Sequence, residues 1–375
     1  MVTGGTQIDA RSEAGAVPHD LGLIADAEGR VLLGGKPFRG LGVNYYDAFV
    51  RSLGTGAPRD VEPGFRALAR LGIPFVRFSA GGYWPIDWGL YRTNAAAHWE
   101  RLDQVVRIAE RTGVGLIPSL FWHPPTVGDL VGEPLDAWGL DSSETVRFMR
   151  TYTREVVTRY RASPALWAWE FGNEFNLGAD LPNASEHRPP TPPGTGTPAR
   201  RTARDELTHA AFRRALGEFA KEVRRHDARR LILSGNAFPR PSAWHQRHSG
   251  NWDRDTRSQW VEMLSGDNPA PMETFSGRLY TSDDVRLLDW ASESARSSRR
   301  PLFVGEFGVP GPASADALDR MRSLLDSLES RGVPLAALWV FDFDGQRADW
   351  NVTTENGRSG ILALVAERQA VWAGR

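Results

Sequence analysis

Eight short apolar runs alternate with stretches of helical length along most of this chain, and that alternation constrains the fold more than any other feature. The runs fall near residues 41–44, 74–78, 114–118, 165–169, 230–233, 275–280, 301–304 and 335–339. Between them lie amphipathic segments at 98–111, 143–160, 203–226 and 315–331, the last with Leu318, Met321, Leu325 and Leu328 at helical spacing. Parallel strands need a long crossover, usually a helix, to bring the chain back to the same edge, so repeated strand–helix units build a parallel sheet. Eight of them predict a closed (β/α)8 barrel of the α/β class. The 375 residues suit one such barrel with long loops, since these run from about 200 to over 400 residues. Ahead of it, residues 24–33 read as a hairpin turning at Asp26-Ala27-Glu28-Gly29, placed to cap the barrel floor. The expected organisation is a flexible tail over 1–20 and one catalytic barrel over 21–375.

Composition removes several classes of function. With 41% apolar and 24% charged residues and a formal net charge of −1, the chain reads as a soluble globular protein acting on a neutral partner. Arginines crowd residues 224–230, yet no basic stripe interleaved with aromatics favours a nucleic acid. No run approaches the roughly 18 apolar residues of a membrane span, and residues 1–20 lack the apolar core of a signal peptide. A cytoplasmic protein and a secreted one with its leader removed both fit. There is no cysteine, hence no disulfide, thiolate chemistry or Cys-based metal site. A monomer is expected.

In α/β barrels the chemistry gathers at the carboxyl ends of the strands. Asn44, Arg77, His123, Asn173, Glu174, Asn236, Tyr280, Glu306 and Trp339 all fall at or just past the end of a predicted strand. Two apolar segments, Trp169-Glu170-Phe171-Gly172-Asn173-Glu174 and Phe303-Val304-Gly305-Glu306-Phe307-Gly308, run directly into glutamates. Strand alternation groups Leu302, Val304 and Glu306 on one face, and Glu170, Gly172 and Glu174 on another, so both glutamates are expected to point inward. Either motif alone reads more readily as a loop cap or a surface charge. Two carboxylates delivered to one rim by the fourth and seventh strands suit glycosidic-bond hydrolysis, where one acid assists the departing oxygen and the other attacks or activates water. Arg77 has two readings, a guanidinium that keeps Glu306 ionised or a buried partner of Glu170, and one fork serves two carboxylates.

These residues resemble the cellulase-like glycoside hydrolases of family 5 and their clan. Glu170-Phe171-Gly172-Asn173-Glu174 is similar to the family's Glu-x-x-Asn-Glu strand end and Val304-Gly305-Glu306-Phe307-Gly308 to its nucleophile strand, with further support from Val76-Arg77-Phe78 and Trp339. The resemblance extends from Arg39 to about Trp372. It implies a polysaccharide-degrading retaining glycosidase that cleaves β-glucan- or mannan-type bonds of an oligo- or polysaccharide by double displacement, without metal or organic cofactor. Glu306 would be the nucleophile and Glu174 the acid/base, with carboxyls about 5–5.5 Å apart. It further implies that Asn173 meets the sugar 2-hydroxyl, His123 meets other hydroxyls, Tyr280 donates to the nucleophile and Trp339 forms an aromatic platform. One departure is plain: the family's histidine two positions before the tyrosine is here Arg278.

Of the fourteen tryptophans, Trp84, Trp88, Trp122, Trp138, Trp244, Trp252 and Trp350 lie in predicted rim loops, where an indole can stack on a pyranose. The Pro-, Thr- and Gly-rich stretch 180–202 is expected as a lid or wall beside the cleft. The stretch 237–270 is expected as a solvated loop, its His245 and His248 lacking further ligands at a supporting spacing. Asp342, Asp344 and Asp349 after the eighth strand could line a sugar subsite or bind calcium, and are expected as polar cleft wall, with Asn44 and Asn236 as supports behind the site. Two rival classes are a metal-dependent barrel hydrolase or isomerase, which would need clustered histidines and acids, and a carbohydrate-binding barrel without catalysis. Retention of both glutamates argues against the latter.

Overall fold

The computed structural model describes residues 21–53, 60–312 and 314–374. The tail expected over 1–20 lies outside the described residues. Eleven strands are present among them: β1 Leu23–Ala25, β2 Val31–Leu33, β3 Lys36–Pro37, β4 Gly40–Asn44, β5 Phe75–Ser79, β6 Gly115–Phe121, β7 Ala168–Gly172, β8 Leu231–Leu233, β9 Phe275–Leu279, β10 Leu302–Phe307 and β11 Leu335–Leu338. The eight expected runs correspond to β4–β11. They form one parallel sheet in the order β8-β7-β6-β5-β4-β11-β10-β9, in which the first and last barrel strands pair with each other. The result is a nearly closed (β/α)8 barrel whose ladder is interrupted between β8 and β9.

All eight barrel strands are buried along their whole length, as a parallel sheet covered on both faces must be. Alternate side chains enter two layers. Leu41, Val43, Trp169, Phe171, Leu302 and Val304 pack outward among helix residues such as Leu102, Met149, Phe219 and Leu325. Phe75, Ile117, Ala168, Leu231, Leu233, Phe303, Leu335 and Ala337 fill the barrel interior. The hairpin closes the floor as expected: β1 and β2 pair antiparallel from Leu23↔Leu33 to Ala25↔Val31, and Leu23, Val31 and Phe38 join the interior cluster.

Helices Ala95–Thr112, Glu144–Tyr160, His209–His226 and Ala315–Ser330 cover the outside. Each begins at a side chain that accepts an amide hydrogen bond: Asn94 from Ala97, Ser143 from Val146, Thr208 from Ala211 and Ser314 from Ala317. The third is shorter than the 203–226 expected. Thr208 caps it, and residues 203–205 form a separate turn closed by reciprocal bonds between Thr202 and Asp205.

The stretch 237–270 also differs from expectation, holding helices Ala243–Ser249 and Arg257–Gly266 rather than an irregular loop. Its local signal was the Thr256-x-x-Gln259 capping box. By contrast, 180–202 is irregular apart from one turn at Ala184–His187 and is strapped down. Arg201 reaches both oxygens of buried Asp129 at 2.7 and 2.9 Å, and Thr197 Oγ1 donates to the Asp129 carbonyl.

Candidate active site

Both glutamates reach the same cleft, by different local devices. Strict alternation along β10 would turn Glu306 outward, because Phe303 faces the interior while Leu302 and Val304 face the helices. The expected grouping of Glu306 with Leu302 and Val304 is therefore corrected. Pairing with β9 runs Val304↔Gly277 and then Glu306↔Arg278, so β10 carries one extra residue there. This bulge at Gly305 re-aims the following side chain inward. Asn44 holds the bulge, donating from Nδ2 to the Gly305 carbonyl at 2.9 Å.

Glu174 lies just past β7, where Glu170 and Gly172 do share the inward face. Its backbone is left-handed, φ 52° and ψ 32°, and its amide donates to the Gly235 carbonyl at 3.0 Å. Gly235 is itself required: a Cβ there would stand 1.8 Å from the Gly172 carbonyl oxygen. The chain leaving β8 can thus press against the end of β7 and hold Glu174 in place.

Arg77, fully buried on β5, is the hub of the charges. Its Nε donates to Glu170 at 2.7 Å, Nη1 to Glu306 at 2.9 Å and to Asn44 at 3.0 Å, and Nη2 to Asn173 Oδ1 at 2.9 Å. Both roles considered for it coexist, since one planar fork reaches both carboxylates. Arg278 enters from β9. Its Nη2 bonds Asn173 Oδ1 at 2.8 Å, and its Nε lies 3.2 Å from Glu306 and 3.6 Å from Glu174. The two carboxyl oxygens are therefore no farther apart than these last two contacts laid end to end. Such a span reaches only the lower end of the roughly 6.5–9.5 Å of an inverting pair.

The second oxygen of Glu306 accepts from the Tyr280 hydroxyl at 2.5 Å. Burial and the Glu306 charge push that hydroxyl well above its ordinary pKa, so it stays a donor. Glu174 is held above the usual carboxylate range, chiefly by burial and then by the Glu306 charge, against the pull of Arg278, Arg77 and Arg240. One carboxyl is thus arranged to keep its proton while its neighbour accepts hydrogen bonds from Arg77 and Tyr280. That is the asymmetry an acid and a nucleophile need.

The cleft holds about 350 Å³ and is walled by Tyr46, Trp122, Trp339, Phe343, Gln346 and Trp350 around Asn173, Glu174, Tyr280 and Glu306. Trp122 and Trp339 lie nearly parallel, 21° apart with ring centres 6.3 Å apart, and Trp339 Nε1 donates to Gln346 at 2.7 Å. Tyr46 packs on Trp122 at 4.9 Å and on Phe343 at 4.8 Å.

Of the residues singled out from the sequence, Glu174, Glu306, Asn173, Tyr280 and Trp339 line this cleft, and Arg77 lies directly beneath it. His123 stands on the rim, exposed and edge-on to Tyr83 at 5.0 Å, outside that lining. Asn236 is tied to the Asp267 carbonyl at 2.8 Å. Asp342 binds Tyr45 and Arg51 instead of the cleft, Asp344 pairs with Arg347, and Asp349 is likewise absent from the lining. Among the rim tryptophans, Trp122 and Trp350 line the cleft whereas Trp88 and Trp138 are core. Tyr46, Phe343 and Gln346 went unanticipated; only Tyr46, two residues past Asn44, sits where a strand end could have flagged it.

His245 is engaged by Asp255 at 2.8 Å and His248 packs on Trp244 at 4.5 Å. No group of three potential metal ligands occurs among the described residues. None of their helices is long and apolar enough to cross a membrane.

No family model matches the chain. Over 87 residues it is 34% identical to a probable mannan endo-1,4-beta-mannosidase C of Aspergillus terreus (strain NIH 2624 / FGSC A1156), a match covering 22% of this chain and 21% of that relative. The matched stretch thus spans about a fifth of the curated relative's length. In fold, the chain superposes on the endo-1,4-beta-mannanase from Rhizomucor miehei with a TM-score of 0.67 at 16% identity, covering 94% of this chain and 99% of that one. A glycoside hydrolase family 5 mannosidase from the same organism gives a TM-score of 0.68 at 10% identity, over 96% and 100%. At such identities the likeness is one of fold.

Proposed function

We propose that this protein is a retaining glycoside hydrolase of the family 5 type that cleaves β-linked mannan- or glucan-type chains. The observation that carries the proposal is the placement of Glu174 and Glu306 about one guanidinium in a single aromatic-walled cleft. In this reading Glu306, fixed by Arg77 and Tyr280, attacks the anomeric carbon from below. Glu174 gives its proton to the departing oxygen, and in the second half-reaction it takes one from water. Asn173 Oδ1 is occupied by two arginines, which leaves its amide donors for the sugar 2-hydroxyl. Trp339 and Trp122 offer faces on which a pyranose stacks. No step requires a metal or organic cofactor.

The mannanase names of the relatives favour mannose in the subsite over the glutamates. The deciding experiment is incubation with activated 2-fluoro-mannoside and 2-fluoro-glucoside, followed by peptide mass mapping. A label on Glu306, faster with the mannoside, is expected. A label on another residue, or none while products form with inversion, would overturn the proposal.

A further inference from the structure

Arg278 occupies the position where the resembled family keeps a histidine, and it brings a permanent charge to a place where an imidazole is neutral over much of the pH range. Its two terminal nitrogens have an evident structural task. Nη2 donates to the Gly235 carbonyl at 2.6 Å and Nη1 to the Asn236 carbonyl at 3.5 Å, bridging the interruption between β8 and β9, while Nη1 also donates to its own neighbour Gly277 at 3.1 Å. Nε takes no part in this. It is buried, makes no hydrogen bond of acceptable geometry, and lies 3.2 Å from Glu306 Oε1 and 3.6 Å from Glu174 Oε1. A methyl at position 305 would come within 2.3 Å of Nη1, so the bulge glycine is what admits the side chain at this depth.

Resting on the glycosidase reading, we propose that Arg278 is a positioning residue that serves as the shared counter-ion of Glu174 and Glu306 as negative charge passes between them. Before reaction Glu306 is ionised and Glu174 protonated. With Glu170 ionised as well, Arg77 and Arg278 balance the two charges; a neutral residue at 278 would leave one in excess. When a Glu306 oxygen bonds the anomeric carbon, the glycosidic C–O bond breaks and the leaving oxygen takes the proton of Glu174. The negative charge then disappears from Glu306 and appears on Glu174. Water attack reverses this: Glu174 regains a proton, the C–O bond to Glu306 breaks and its carboxylate re-forms. The guanidinium lies within reach of the charge in every state and need not move. Groups facing Glu174 are Glu306 from β10, Arg278 and Tyr280 at the end of β9, Arg77 from β5 and Arg240 beyond β8. Arg278 is the first of those opposing the upward shift.

The test replaces Arg278 by Met, by Gln, which retains donors for the seam carbonyls, and by Lys, which retains the charge. The Glu174 carboxyl is titrated by 13C NMR in the full-length protein, and kcat/KM is followed against pH on aryl β-mannoside or β-glucoside. In R278M and R278Q the Glu174 titration and the alkaline limb should move together to higher pH, and sugar release from the glycosyl-enzyme should slow on the order of 10²-fold. R278K should bring the limb back toward its original position while kcat stays depressed. Variants that lose stability but leave the titration and both rate limbs unmoved would assign Arg278 to the strand seam alone and overturn the inference. If the wild-type protein hydrolyses no β-glycoside while the titration still moves, the functional reading fails and the counter-ion role stands.

Discussion

The hydroxyl of Tyr280 lies 2.5 Å from Oε2 of Glu306, at the end of the strand that neighbours the one carrying the glutamate. The ring is fixed edge-on against Trp350 at 5.1 Å, so the contact is preset and not induced by substrate. In the proposed double displacement it would restrain the free carboxylate and loosen as the ester forms.

Replacing Tyr280 by Phe removes one donor and leaves the ring packing. A hydrogen bond to a charged group is worth about 1.5–3 kcal/mol, so kcat/KM should fall roughly 10- to 150-fold. Because burial keeps the phenol protonated, the loss should be constant from acid to neutral pH. A loss that grew with pH would show that Tyr280 titrates and acts as an acid.

Glu174 binds its proton more tightly in the fold than a free glutamate does, through burial and the Glu306 charge. Glycosylation needs that proton, so on the alkaline side kcat/KM should fall as pH rises through the raised value. E174Q should lower turnover of substrates with poor leaving groups on the order of 10²- to 10⁴-fold. With a dinitrophenyl glycoside, whose departure needs no acid, the burst of phenol should persist and the alkaline limb should vanish. Stability carries the same sign: a carboxyl with a raised folded pKa supports folding below its unfolded value, and that support is lost as pH climbs through the folded one. The drop in urea midpoint between acid and alkaline pH should therefore be smaller in E174Q. An unchanged limb in this variant would move the acid role elsewhere.

Much of this was legible in the sequence, for reasons specific residues make clear. The eight runs were found because a strand buried on both faces must be apolar, as in Phe75-Val76 or Leu335-Ala336-Ala337-Leu338. Strand-end position alone brought Glu174, Asn173, Arg77 and Tyr280 to one rim. Alternation misassigned the face of Leu302 and Val304, because a bulge at Gly305 is a tertiary choice with no period of its own. The aromatic wall resisted for another reason: Phe343 and Gln346 come from a connection after β11 whose one regular feature is a single 3-10 turn, Asp344–Gln346, too short to carry a period that would constrain direction. Arg278 was seen only as a departure, although alternation from Phe275, outward with Leu279, already turned it inward.

Arg77 is fully buried, with Glu170 equally so. R77M would strand Glu170 and leave Asn44 Oδ1 without its donor, and breaking a buried pair from one side costs about 3–5 kcal/mol. Urea unfolding should show that loss, and R77M/E170Q should recover a substantial part of it. Activity should not return in the double variant, because Glu306 still lacks its partner. Equal destabilisation by the single and double changes would mean that Glu170 is not what Arg77 balances.

Gly305 offers a test that leaves every polar group in place. In G305A the new methyl displaces Arg278 Nη1, and the guanidinium has little room to retreat because Nη2 is held by Gly235 and Asn173 and Nη1 by Gly277. The variant should reproduce the raised alkaline limb of R278M with smaller amplitude. A wild-type profile in a folded G305A would show that the guanidinium accommodates the methyl without leaving its carboxylates.

The 180–202 stretch should behave as a fixed wall and not as a lid. Arg201 and Asp129 are 7% and 3% exposed, and no residue of the stretch joins the lining around Glu174 and Glu306. D129A leaves the Arg201 guanidinium buried without its bidentate acceptor and should destabilise by about 3–5 kcal/mol. Protease cleavage within 180–202 should rise, while kcat on a small aryl glycoside should stay within about twofold, since surroundings remote from a reacting centre couple weakly to it. A lid would behave otherwise: freeing it would alter kcat and KM together even for the small substrate, because closure would gate every turnover.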